Sequence, residues 1–492
     1  MKTTHSFRLN GLLLGGLALL AGCAMGPDYE RPTTADPGQF RSATTTASEA
    51  ASIADLPWWE MYEDPDLKRL IEEALKNNYN LRIAISRVEQ ARALSAQARS
   101  AFFPQVGYQG SMSRGRNEAL GSPSYNGGMT NDPVFAGVSA SWEIDLWGRV
   151  RRLNEAAQAE LLATEAGQRA VMLILVSEVA RNYYELLTFD LRLSIAQAAT
   201  ESFKESYDIF QTRLEGGVAS RLQTAAAEGA MASAAAGIPE FERQIAIKEN
   251  QLSILLGKPP GPISRDLDLI SQKLPIAIPV GLPSSLLERR PDIIQSEQLL
   301  RAANARIGVA EANFFPQLNL TGLLGRVSPE LSAFTAGAGN AWSIAAGLAG
   351  PIFEGGLLRA QYRQAVAAWE ESVASYELTV LQAFQEVSNA LISFEKLAQV
   401  RNFQAQSVNA YTEAVVVAFE RYASGKADYY EVLQVQQDLF PVADQLAQTR
   451  LSQFLSLIDL YQALGGGWSQ DNKAWMSAGQ VEETDDDNKT NP

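Results

Sequence analysis

The side chains that do most enzymatic chemistry are nearly absent from this sequence. Its 492 residues include one cysteine, Cys23, and one histidine, His5. With both at the N-terminal end, the rest of the chain can hold no Ser-His-Asp or Cys-His nucleophilic site. It can hold no zinc site built on His or Cys either. Carboxylate-only and Ser-Lys chemistry remain open, but no paired acidic motif occurs in a pocket-like loop. An envelope hydrolase that used carboxylates would need one, so no enzyme activity, metal or cofactor is expected.

What Cys23 can do is accept a lipid. Residues 1–22 carry Lys2 and Arg8, then an apolar run from Gly11 to Ala21 that ends in small residues. This pattern predicts a secretory signal, because the run is too short to span a bilayer as a helix. Leu20-Ala21-Gly22-Cys23 resembles a lipobox, in which the cysteine becomes the acylated first residue. An ordinary signal peptide with an incidental cysteine is the alternative. A lone thiol has no internal disulfide partner, which favours the lipobox. Ala24 follows, and in the lipoprotein sorting rule a residue other than Asp there is an outer-membrane address. The net charge of −15 makes nucleic acid a poor partner. An apolar fraction of 46% with 20% charged residues indicates a folded chain.

The elements that must organise such a chain come as a duplication. Phe102-Phe103-Pro104-Gln105 returns as Phe314-Phe315-Pro316-Gln317. Arg213-Leu214-Glu215-Gly216-Gly217 corresponds to Arg421-Tyr422-Ala423-Ser424-Gly425, and Leu256-Gly257 to Leu464-Gly465. The first repeat is placed at 66–257 and the second at 284–468, with a Pro-rich linker at 258–283 between them. A lipid-anchored extended segment, 23–65, precedes them and includes Trp58-Trp59. An acidic tail, 469–492, is expected to be disordered.

Each repeat follows one plan. Asp64-Pro65 predicts a helix start, with Asp as N-cap and Pro at the first position. Helical spacing then continues from Asp66 to Ala101, and Pro104 must end it. Strands of alternating character are predicted at about 105–114 and 134–144, and again at about 317–325 and 341–349, with a loop over 115–133. A Pro-free run follows each pair, at 149–215 and 357–424, and each would make a helix roughly 100 Å long. Return helices are expected at about 219–256 and 427–464, kinked or broken at Pro239 and Pro441.

Strands of nine to eleven residues with one apolar and one small or polar face suit a membrane barrel. A soluble hairpin packed on a core is the alternative that periodicity leaves open. Four strands cannot close a barrel, and open edges are not tolerated in hydrocarbon. The chain must then pool its strands with copies of itself. Two copies give eight strands around a filled interior, whereas three give twelve and leave room for a lumen.

The lipobox with Cys23, Gly26-Pro27-Asp28-Tyr29, Trp58-Trp59, the paired Phe-Phe-Pro-Gln, Trp142-Glu143-Ile144-Asp145-Leu146-Trp147-Gly148-Arg149 and Leu464-Gly465-Gly466-Gly467-Trp468 together resemble the outer-membrane factor (TolC-like) family. Within it, the chain is similar to the lipoproteins like OprM. The resemblance implies an α+β membrane protein with four transmembrane strands and long helices per chain. The expected homotrimer closes a 12-stranded β-barrel continued by a periplasmic α-helical barrel. The implied function is the passive exit duct of a tripartite efflux pump for drugs or other small toxic molecules. Its implied partners are a periplasmic adaptor, an inner-membrane RND-type transporter and outer-membrane lipid. A type I secretion duct is the alternative within the fold, and a pore-less structural lipoprotein the alternative outside it.

The resemblance also implies a gate where the long helices turn back, near Gly217 and Gly425. By motif position, Tyr422 matches a tyrosine of the gate contacts. Glu431 and Gln434 match two aspartates that form acidic rings, and Gln223 matches an acidic gate partner. Only Glu431 keeps a carboxylate. Tyr430 stands where the lipoproteins carry a bulky apolar constriction.

Overall fold

The computed structural model describes residues 24–34, 40, 61–116, 130–273, 286–328, 331–335 and 339–466. Cys23, the signal segment, Trp58-Trp59, Trp468 and the acidic tail lie outside them. The described residues form two units, drawn from 1–33, 87–165 and 295–377 and from 34–86, 166–294 and 378–492.

Helix α1 (Pro65–Asn77) starts as its sequence requires. Oδ1 of Asp64 accepts from the amides of Asp66 at 2.8 Å and Leu67 at 3.3 Å, and Pro65 occupies the first position, where no amide donor is needed. The expected single helix to Ala101 is two helices. Asn78 is extended (φ −63°, ψ 129°), and α2 (Tyr79–Ser100) begins after it. The physical reason is local. Oδ1 of Asn78 accepts from the amide of Leu81, and its Nδ2 donates to the carbonyl of Leu255. The side chain thus caps the new helix and ties the break to a distant one.

The strands are β1 (Gln105–Met112), β2 (Gly115–Arg116), β3 (Thr130–Asn131) and β4 (Val134–Ile144), then β5 (Gln317–Ser328) and β6 (Gly339–Ala349). The segment 115–133, expected to be all loop, contains the short β2–β3 ladder. The second repeat's strands run longer than their sequence suggests, because each pairs along its full length with β4 or its own hairpin partner. One antiparallel sheet has the order β1-β4-β5-β6, so the two repeats join at β4–β5 and leave β1 and β6 as edges.

Helices α3 (Arg149–Glu215) and α4 (Arg221–Leu255) follow the first hairpin. The short α5 (Leu286–Arg289) and α6 (Pro291–Ala312) lead into the second, which is followed by α7 (Leu357–Ala423) and α8 (Tyr429–Ala463). The long helices α3 and α7 have 67 residues each and the return helices 35 each. Both return helices continue through Pro239 and Pro441, so of the expected kink or break the break does not occur. Both prolines are exposed, so water can satisfy the carbonyl that each ring deprives of a donor.

In the second unit the apolar stripe of α1 (Leu67, Leu70, Ile71, Ala74) is fully buried against Tyr183 and Leu186 of α3, Leu252 of α4 and Phe454 and Ile458 of α8. Tyr184 stacks on Phe454 at 4.4 Å between centroids. Tyr183 donates to Asp64 at 2.8 Å, so the cap of α1 is held from the core side as well.

Candidate functional site

The register of the four-stranded sheet sorts its side chains into two coherent faces. Tyr108 lies opposite Val138, Val138 opposite Leu324, and Leu324 opposite Trp342. Val106, Ala140, Gly322 and Ile344 form the next row on the same face. This face is apolar, and it is exposed: Tyr108 is 93% and Ile344 83% accessible. The opposite face is small and polar, as in the row Gln105, Ser141, Thr321 and Ala345. A water-soluble sheet buries its apolar face, whereas this one presents it outward along every strand. The arrangement fits lipid on one side and water on the other. Among the described residues, no helix is long and apolar enough to cross a membrane.

The ends of the strands are fixed by the motif Glu143–Arg149. Asp145 accepts from the amides of Val150 at 3.0 Å and Arg151 at 2.9 Å and so caps α3. Glu143 pairs with Arg149, whose Nε donates at 2.9 Å. Trp147 stacks on Phe315 at 4.7 Å and donates to the carbonyl of Pro316 at 2.8 Å. The second Phe-Phe-Pro-Gln copy is thus a seat for the first strand-to-helix turn.

The segment that follows Cys23 is docked in the first unit. The Met25 amide donates to the Trp147 carbonyl at 3.0 Å. Arg152, itself buried, donates to the carbonyls of Met25 and Gly26 and to Asp28. Gly26 has φ +87°, and a Cβ there would meet Gly308 of α6 at 2.4 Å. Glu297 of α6, only 3% exposed, accepts from Arg31, Arg301 and Tyr29. Burial alone would raise the Glu297 carboxyl, but the two guanidinium groups hold it below the ordinary carboxylate range. Burial and the same carboxylate push Tyr29 up to about 12. The motif Gly26-Pro27-Asp28-Tyr29 thus forms a strap whose first described residue, Ala24, adjoins the lipidation candidate.

The turn end of the long helices belongs to the second unit. Both turns close in the same way. After α3, Val218 donates to Arg213 and Gly217 to Leu214; after α7, Lys426 donates to Arg421 and Gly425 to Tyr422. This is the Schellman pattern, with Gly217 at φ +72° and Gly425 at φ +69°. Ser220 caps α4 and Asp428 caps α8.

The expected gate residues gather here in different environments. Gln223 completes a capping box with Ser220 and donates to Asp428 at 3.0 Å, bridging the two turns. Glu431 is exposed and pairs with Arg421 at 3.3 Å. Gln434 is exposed on the same helix, and Tyr430 is nearly half exposed. Tyr422 belongs to an apolar cluster. Its ring meets Tyr429 edge-on at 4.8 Å, and the Arg213 guanidinium lies over it at 5.6 Å. Two carboxylates that sequence reasoning did not single out, Asp428 and Asp438, lie on the same stretch. Asp428 carries a signal in Asp428-x-x-Glu431, the same cap spacing as Ser220-x-x-Gln223. Asp438 is an exposed carboxylate one turn beyond Gln434.

Comparison with known proteins gives a consistent picture. The profile of the outer membrane efflux protein family matches residues 70–258 and 282–466. The toluene efflux pump outer membrane protein TtgC of Pseudomonas putida is 36% identical over 455 residues, which is 92% of this chain and 94% of that protein. The probable outer membrane lipoprotein SilC of Salmonella typhimurium is 33% identical over 474 residues, 94% of this chain and 99% of that protein. The outer-membrane channel OprN is 30% identical with a TM-score of 0.84, covering 91% of this chain and all of that one.

Proposed function

The chain belongs to the outer membrane efflux protein family, and from that premise we propose that it is the passive exit duct of a tripartite efflux pump. Three copies pool their four strands into a twelve-stranded barrel, and the helices continue the tunnel into the periplasm. A periplasmic adaptor and an RND-type inner-membrane transporter load the tunnel and supply the energy. Cys23 carries the lipid, and the strap beside it ties that anchor to α6 and to the start of α3. SilC, named as a probable lipoprotein, supports this assignment.

The observation that carries the reading is the sheet with an apolar face exposed along all four strands and a small, polar face behind it. Such a sheet is stable only when lipid covers one face and its edges are closed. The turn end then holds the candidate gate. Glu431 and Asp438 would face the narrowing with fixed negative charge, partly offset by Arg421, and Gln434 between them with a neutral amide.

Single-channel conductance of the purified protein in a planar bilayer, with its mass in detergent, tests the proposal. A trimer with small, infrequent openings is expected. Glu431→Ala should lower cation preference, and Arg421→Ala, which frees the carboxylate, should raise it. A monomer without conductance would overturn the duct in favour of a structural lipoprotein. Selectivity unchanged in both variants would remove these residues from the conducting path.

A further inference from the structure

The small, polar face of the sheet is not uniform along the strands. Near the ends joined to helices it carries Glu143, Asn319 and Gln317. Towards the opposite strand ends the same face carries Leu323, Val327 and Phe135. Phe135 lies opposite Val327, and one row inward Gly137 lies opposite Gly325. The Phe135 ring lies across that glycine pair: a Cβ at Gly137 would meet its Cζ at 2.8 Å, and one at Gly325 its Cε2 at 3.1 Å. The ring therefore lies down on the sheet, covering exposed backbone and presenting its other face. Leu323 follows one row further inward, opposite Ser139.

We propose that Phe135, Leu323 and Val327 form an apolar collar on the lumen wall near the mouth of the duct, which favours passage of aromatic and amphiphilic organic solutes over small hydrated ions. The inference rests on the duct reading, which makes this face the lumen and these strand ends the outer ones. Three copies repeat the collar around the barrel. An organic solute gains there by removing apolar surface from water and by stacking on the ring. A small ion gains nothing from such a wall and keeps its hydration only at a distance from it. The glycine pair has a definite part, because a side chain at either position would lift the ring off the wall.

The test uses Ser141, on the lumen face one row inward of Leu323. Ser141→Cys is introduced into the full chain, reconstituted with its outer side accessible. Its labelling rates by benzyl methanethiosulfonate and by sulfonatoethyl methanethiosulfonate are compared with the rates for free cysteine. The normalised ratio of benzyl to sulfonatoethyl rates should exceed one. It should fall about threefold or more when Phe135→Ser and Val327→Thr are added. Leu323→Thr, which leaves the ring on its glycines, should shift the ratio in the same direction and covers the case in which Phe135→Ser fails to assemble. Labelling by both reagents with a ratio that none of these variants changes overturns the collar and leaves the duct intact. Failure of both reagents to reach the introduced thiol from outside overturns the duct, and the collar with it.

Discussion

Glu297 holds a charge where water cannot reach it, and three side chains make that tolerable. The side chains of Arg31 and Arg301 are each about two-fifths exposed, at 43% and 42%, while that of Glu297 is at 4%. The attraction is therefore partly screened on the arginine side, and the pair is worth less than a fully buried one. Glu297→Gln should still cost about 2 kcal/mol, since it leaves two guanidinium groups and the Tyr29 hydroxyl poorly matched. The sign of the pH dependence follows from the lowered carboxyl. A group whose pKa is depressed on folding stabilises the fold above its ordinary pKa, and that contribution is lost as pH falls through the folded value. Thermal melts of wild type and Glu297→Gln should differ most near neutrality and converge in acid. A gap that stays constant across that range would show that the charge is not what holds the strap.

At the scale of elements, the turns that end α3 and α7 give a direct handle. Gly425 has φ +69°, and a Cβ there would meet nothing within 4 Å. The glycine is thus needed for its backbone and not for space. Gly425→Ala should cost about 1 kcal/mol, the penalty of a left-handed alanine. The midpoint of thermal unfolding should fall by about 1 °C; no change would mean that the turn relaxes to another geometry. These turns were legible in the sequence because Pro-free runs stop at Gly216-Gly217 and Gly425, and the long helices end there. The strands were legible because alternation in Val134–Ile144 has a single period. What was not legible depends on partners far along the chain. Asn78 caps the new helix through Leu81, but its amide also donates to the carbonyl of Leu255, a partner that the local pattern does not name. Pro239 and Pro441 leave helices whole because both face water, which local sequence does not state. Of the candidate gate residues, Tyr422 and Gln223 were singled out by motif position, but their places in an apolar cluster and a cap bridge depend on α3 and Asp428.

At the scale of the whole molecule, the repeat predicts how one copy meets the next. The spacing is 212 residues from β1 to β5 and 208 from β4 to β6, because the pair Tyr108–Val138 in the first hairpin becomes Leu320–Ala346 in the second. Within the chain, β4 and β5 join the two repeats, with Ser139 opposite Leu323. If the junction between copies repeats that internal junction, β6 takes the place of β4 and β1 of the next copy takes the place of β5. Shifting each residue by its own spacing puts Gly347 opposite Ser111 of the next copy. Both lie on the small, polar face, so the faces match across the seam, which a slip of one residue would destroy. A Cβ at Gly347 meets only the Asn319 carbonyl, at 4.0 Å, so a cysteine fits there. Directly opposed residues lie within the Cα separation that a disulfide needs. The double variant Ser111→Cys/Gly347→Cys should therefore oxidise to covalent trimers on a denaturing gel. Ser111→Cys/Ser343→Cys, displaced by four residues or about 13 Å along the strand, should not. Trimers from the second pair but not the first would mean that the seam between copies has a register of its own, and that the duplication governs each chain without governing the closure of the barrel.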